Sequence, residues 1–170
     1  MNDPLANLIQ EHCIAQGRSL SLAESCTGGY LAARLTRLPG CSRYFLGSIV
    51  AYSNALKTNL LGVDAALLAQ WGAVSAPVVR QMAEGVLRLT GSHYSLAVSG
   101  IAGPGGGSLQ KPVGTIWGAI AREGKDSFVW DFFLTGTRQE IIEQSTEILL
   151  AQLWTLIKTE KEFMNKKLNN

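Results

Sequence analysis

Three observations predict a single α/β domain, a three-layer α/β/α sandwich around a mixed, mainly parallel sheet. Apolar positions at helical spacing alternate with short β-branched or aromatic runs through most of the chain. Two such runs then follow one another across a short polar turn, as in a hairpin. The 170 residues, 46% hydrophobic and 16% charged, suit one domain with a sizeable core and exclude a disordered chain. The domain is expected over 1–160, with a frayed basic tail over 161–170.

Asp3-Pro4 opens the first helix, a capping side chain followed by the position where proline's missing N–H costs nothing. Leu5, Leu8, Ile9 and Cys13 continue it up to Gly17. Ser19–Ala23 reads as a buried strand and Tyr30–Leu38 as a helix ended by Pro39-Gly40. Tyr44–Tyr52, rich in β-branched and aromatic residues, is the next strand. Ser53 caps a short helix to Leu61, Asp64 another to Gly72, and Ser75 with Pro77 a third to Gly91. Strands follow over Tyr94–Ser99, Thr115–Arg122 and Ser127–Leu134, the last two joined through Glu123-Gly124-Lys125-Asp126. Thr137 and Glu140 form a capping box, and Ile141, Ser145, Ile148, Leu149, Leu153 and Leu156 the inner face of a long last helix. Trp71, Trp117, Trp130 and Trp154 read as core.

Charge excludes a polyanion-coating role: the formal net charge is +2, and Lys158, Lys161, Lys166 and Lys167 sit at the end of the chain. Neither nucleic acid nor membrane is expected as a partner. Three cysteines, with no CxxC pair and no histidine cluster, suggest neither disulfides nor a metal site. The N-terminus has no basic-then-apolar leader and no apolar run reaches the ~18 residues of a membrane span, so a cytoplasmic place is expected.

The chemistry concentrates in four segments. Glu24-Ser25-Cys26-Thr27-Gly28-Gly29 lies between a strand and a helix, where a hydroxyl stands at the sheet edge and helix N–H groups can face an oxyanion. Capping by Ser25 or Thr27 is the plainer reading of the same residues. Cys26 is a rival nucleophile whose pKa a helix N-terminus would lower, but His12 and His93 fall on a helix and in a turn, away from it. Lys57 is the candidate base, in the first turns of a helix whose dipole disfavours an ammonium, with Tyr52 placed to orient it or relay a proton. As a plain alternative it is a solvated surface lysine. Ser99-Gly100-Ile101-Ala102-Gly103-Pro104-Gly105-Gly106-Gly107 reads plainly as a flexible connection, but ordering glycine this dense is costly, and the loop suits a backbone cradle for an anion, with Lys111 adding charge. Arg138, at the start of the last helix, can clamp a phosphate or carboxylate. Glu24 can counterbalance Lys57, bind a ligand amide or ribose, or pack at the strand end.

The motifs Ala-Glu-Ser-Cys-Thr-Gly-Gly at 23–29, Ala-Tyr-Ser-Asn with Lys at 51–57, Gly-Ala-Val-Ser at 72–75, the glycine loop at 99–107 and Lys-Pro-Val-Gly-Thr at 111–115 resemble the CinA C-terminal domain family. The resemblance runs from about Leu20 to Leu153. It implies an α/β/α fold and hydrolysis of the carboxamide of nicotinamide mononucleotide to nicotinic acid mononucleotide and ammonia, in pyridine nucleotide recycling. A serine–lysine mechanism without cofactor or metal goes with it. Carried over, the nucleophile falls on Ser25 and the lysine on Lys57; Tyr52 is the third catalytic candidate. Glu24, Cys26, Thr27, Gly28, Gly29, Ser99, Gly100, Gly103, Gly105, Gly106, Lys111 and Arg138 are expected to bind substrate. Longer members carry an N-terminal domain resembling molybdopterin-binding proteins, with pyrophosphatase activity; neither role is expected of these residues. The alternatives are a catalytically silent nucleotide-binding or regulatory domain and an amidase for another amide. Apolar helices on a single domain suggest a homo-oligomer.

Overall fold

The computed structural model describes residues 3–168, with side chains through Glu160. Six helices and five strands follow in the order α1 (Pro4–Ala15), β1 (Leu20–Glu24), α2 (Tyr30–Thr36), β2 (Phe45–Val50), α3 (Asn54–Leu61), α4 (Ala65–Trp71), α5 (Ala76–Thr90), β3 (Tyr94–Gly100), β4 (Thr115–Arg122), β5 (Lys125–Phe133) and α6 (Arg138–Leu168). Sheet order is β2-β1-β3-β4-β5. The β2–β1 and β1–β3 pairs are parallel and the β3–β4 and β4–β5 pairs antiparallel, so four strands run one way and only β4 opposes them.

Side-chain alternation along the strands separates two cores. Leu20, Leu22, Leu96, Val98, Ile116 and Ile120 face α1, α2 and α6. The opposite face carries Ala23, Ala97, Ala119 and Ala121 against Val78, Val79, Met82 and Val86 of α5. Small residues on that face let the α5 backbone come close, and the Ser95 hydroxyl donates to the Ala83 carbonyl at 2.7 Å. Gly85 of α5 sits against α3, where a Cβ would overlap the Leu61 carbonyl.

Local signals behave as capping chemistry requires. Asp3, Ser53 and Asp64 cap α1, α3 and α4 with side-chain oxygens. In the Thr137–Glu140 box, the Thr137 N–H donates to the glutamate at 2.7 Å and the Glu140 N–H to the Thr137 hydroxyl at 3.3 Å. Ser75 differs: its hydroxyl turns back to the Gly72 carbonyl at 2.8 Å and caps nothing. The β2 strand is shorter than its β-branched run, because Ala51 and Tyr52 bend away to reach α3. Trp71 is half exposed rather than core, since α4 is a single short helix with only one buried side, at Leu68. The backbone of α6 continues to Leu168; the expected frayed tail over 161–170 lies outside the residues whose side chains are described.

This topology decides where a site can lie. From β1 the chain crosses through α2 on one face to β2, then returns through α5 on the other face to β3, on β1's far side. Such a reversal opens a crevice beyond the carboxyl ends of the strands. The loops after β1, β2, β3 and β5 all leave from that edge.

Candidate functional site

Beyond that edge lies a cavity of about 260 Å³, lined by side chains and backbone from five segments, Ser25, Tyr52, Lys57 and Arg138 among them. Ser25 follows β1 directly, its N–H donating to the Val98 carbonyl at 3.1 Å and its carbonyl accepting from Gly28 at 3.1 Å. Its hydroxyl, in a residue 8% exposed, meets the Lys57 Nζ at 3.0 Å.

Lys57 is only 1% exposed. Its amine reaches the Ala51 carbonyl at 2.8 Å and the Tyr52 carbonyl at 3.4 Å besides Ser25. Burial away from water pushes the lysine pKa down, partly opposed by Cys26. Once deprotonated, the amine can keep its two hydrogens on the carbonyls and turn its lone pair to the Ser25 hydroxyl. The arrangement can therefore take a proton from Ser25 Oγ as that oxygen attacks an electrophile.

A sequence profile of the CinA C-terminal domain family matches residues 2–157. The chain belongs to the CinA C-terminal domain family. It is 48% identical over 153 residues to a CinA-like protein of Mycolicibacterium vanbaalenii, covering 90% of this chain and 35% of that protein. To a CinA-like protein of Gloeobacter violaceus it is 52% identical over 123 residues, 72% of this chain and 29% of the relative. The chain thus spans about a third of the length of these curated relatives. Among solved structures, competence/damage inducible protein CihA from Agrobacterium tumefaciens superposes with a TM-score of 0.87 at 37% identity, covering 89% of this chain and 93% of that one. The competence damage-inducible protein A (ComA) of Klebsiella pneumoniae gives 0.86 at 35% identity, with the same coverage.

In this CinA domain the other expected site residues divide into those at the cavity and those behind it. Cys26, Ser99, Gly100, Gly103, Gly105 and Gly106 line it together with Tyr52 and Arg138. Cys26 is buried, and burial pushes its thiol up to about 12. That reverses the lowering expected of a helix N-terminus and leaves a poor nucleophile. Gly100 makes room for it, since a Cβ there would overlap the Ile116 side chain and come within 3.1 Å of the Cys26 sulfur. The Tyr52 hydroxyl faces away from a relay role and accepts from Arg138 at 2.9 Å, whereas the Tyr52 carbonyl is what meets Lys57. Arg138 also donates to the Gly103 carbonyl at 2.8 Å, which holds its guanidinium at the cavity mouth.

Glu24, Thr27, Gly28, Gly29 and Lys111 are not among the lining residues. The α2 N–H groups expected to face an oxyanion are taken instead by Glu24, through Gly29, Leu31 and Ala32. The N–H groups of Cys26 and Thr27, in the turn before α2, are not among those it claims. Thr27 is buried and donates its hydroxyl to Glu24 at 2.7 Å. Gly28 and Gly29 adopt φ of +59° and +101°, which turn the chain into α2. Lys111 donates to the Trp71 carbonyl at 2.6 Å, outside the cavity.

Sequence reasoning missed Ala73 and Val74, which form one wall. Three successive carbonyls leading into it are held by side chains: Trp71 by Lys111, Gly72 by Ser75 at 2.8 Å and Ala73 by Ser99 at 2.8 Å. The Ser99 hydroxyl is thereby a strut of the wall rather than a free ligand group. The Gly-Ala-Val-Ser motif was the available signal, but small apolar residues announce no chemistry on their own. Among the described residues no group of three or more His, Cys, Asp or Glu side chains is placed to hold a metal ion, and no helix is long and apolar enough to cross a membrane.

Proposed function

We propose that this domain is a nicotinamide-nucleotide amidase, hydrolysing the carboxamide of nicotinamide mononucleotide by a serine–lysine mechanism. The observation that carries the reading is the buried Lys57 amine, without a carboxylate partner among the described ion pairs, 3.0 Å from Ser25 Oγ on the floor of an open cavity. Neutral Lys57 accepts the Ser25 proton as Oγ attacks the amide carbon. The N–H of Cys26, which follows Ser25 at the cavity, stabilises the oxyanion. Protonated Lys57 returns the proton to the departing ammonia, and water then cleaves the nicotinoyl ester with Lys57 again as base. Arg138 and the backbone of Gly103–Gly106 hold the phosphate end at the mouth.

Ammonia release from nicotinamide mononucleotide, measured with a chelator present, tests this directly. Ser25→Ala is expected to lower kcat by about 10⁴-fold or more while the nucleotide still raises the thermal midpoint by binding. Turnover by the alanine variant at the wild-type rate sinks the proposal. Binding without turnover in the wild type replaces it with a nucleotide-binding role.

A further inference from the structure

Glu24 is 0% exposed and immediately precedes Ser25. Every group meeting its carboxylate is a donor. Oε2 accepts from the Thr27 hydroxyl at 2.7 Å, the Gly29 N–H at 3.0 Å and the Leu31 N–H at 3.1 Å. Oε1 accepts from the Ala32 N–H and the Ser48 hydroxyl, each at 3.0 Å. These donors come from the turn after Ser25, from α2 and from β2, so one side chain joins three segments around the serine. An ordinary helix cap does not require this: the N-cap of α2 is Gly29, without a side-chain cap, and the acceptor arrives from a strand five residues upstream.

The backbone of the same residue reaches the other partner. The Glu24 carbonyl accepts from the Ala51 N–H at 2.9 Å, and the Ala51 carbonyl accepts from Lys57 at 2.8 Å. Glu24 therefore fixes the peptide that leads into Ser25 and the peptide that holds Lys57. We infer that Glu24 is a positioning residue that sets the Ser25 hydroxyl against the Lys57 amine, an assignment that rests on Ser25 being the nucleophile. Its carboxylate accepts all five donors because it is acceptor-only; a carboxamide would turn an NH₂ toward N–H or O–H groups and release part of the turn.

The test compares wild type with Glu24→Gln, Glu24→Asp and Ser48→Ala, at a temperature where circular dichroism shows each folded. One readout is labelling of Ser25 by a fluorophosphonate, located by mass spectrometry: Oγ forms the phosphorus–oxygen bond, fluoride leaves and Lys57 takes the proton. The other is ammonia release from nicotinamide mononucleotide. Glu24→Gln is expected to label about a hundredfold more slowly, as for a displacement of the nucleophile by an ångström, with kcat falling in parallel and KM unchanged. Glu24→Asp keeps the anion and recovers part of the rate, and Ser48→Ala loses several-fold. A folded Glu24→Gln protein labelling at the wild-type rate overturns the assignment; if that variant does not fold, an unchanged rate in Ser48→Ala overturns it. Wild-type protein that labels at Ser25 but releases no ammonia removes the amidase reading and leaves the positioning role to the labelling rates. Wild-type protein that does not label at Ser25 overturns both.

Discussion

Lys57 owes its chemistry to where it is buried. An amine in water is protonated at neutral pH and cannot accept a proton; desolvation in this pocket lowers its pKa, and the Ala51 and Tyr52 carbonyls satisfy the neutral form. The expected activity therefore rises with pH as Lys57 loses its proton, with a half-rise below the free-lysine value of about 10.4. Lys57→Met should cost about 10²–10⁴-fold in kcat, and Lys57→Arg, always charged, should stay inactive across the same range. A pH–rate profile of ammonia release with both variants checks this, and an unchanged midpoint in Lys57→Met would exclude Lys57 as the titrating base. Position at an element boundary made each partner a candidate, whereas the pair came from the family resemblance and not from spacing. Thirty-two residues separate Ser25 from Lys57, and only the parallel pairing of β1 with β2 brings them together.

Single elements were legible in the sequence wherever a local rule governed them, as in the helices capped by Asp3, Ser53 and Asp64 and the Thr137–Glu140 box. Elements governed by tertiary contacts were not. Glu24 reads as a ligand or a strand-end carboxylate until α2 and β2 are seen to close around it, and Lys111 reads as an anion-binding lysine until the Trp71 carbonyl is found beside it. Gly85 was silent for the same reason. It lets α5 lie against the last turn of α3, the helix that carries Lys57, and an added Cβ would overlap the Leu61 carbonyl. Gly85→Ala, although a gain in helix propensity, should destabilise the domain by about 1–3 kcal/mol through overpacking. By displacing α3 it should also reduce turnover. Urea unfolding beside ammonia release separates the two, and a stabilised, fully active variant would show that α3 is free to shift.

Across the whole molecule the buried titratable groups set how stability varies with pH. On the acid side, the Arg34 hydrogen bond holds Asp3 below its ordinary value. Burial alone would raise Glu160, but hydrogen bonds from Lys125, Arg122 and Tyr94 outweigh it and lower it. Both contribute stability above the ordinary carboxylate values of about 3.9 and 4.3, lost as pH falls through the lowered native ones. Lys57 acts oppositely to a paired lysine: between its lowered native pKa and about 10.4 the unfolded chain holds the extra proton, so stability rises with pH. Burial pushes the thiols of Cys13 and Cys26 up to about 12, so above about 8.5 the unfolded chain releases protons that the fold retains and stability falls. Where all three titrate, one lysine against two thiols leaves a net downward slope of about 1.4 kcal/mol per pH unit. Lys57→Met should remove the rise that Lys57 contributes and steepen the fall where the thiols titrate. Urea titrations across the pH range under reducing conditions decide the matter, and a neutral-to-alkaline rise that survives in Lys57→Met would mean that Lys57 is not the group deprotonated by the fold.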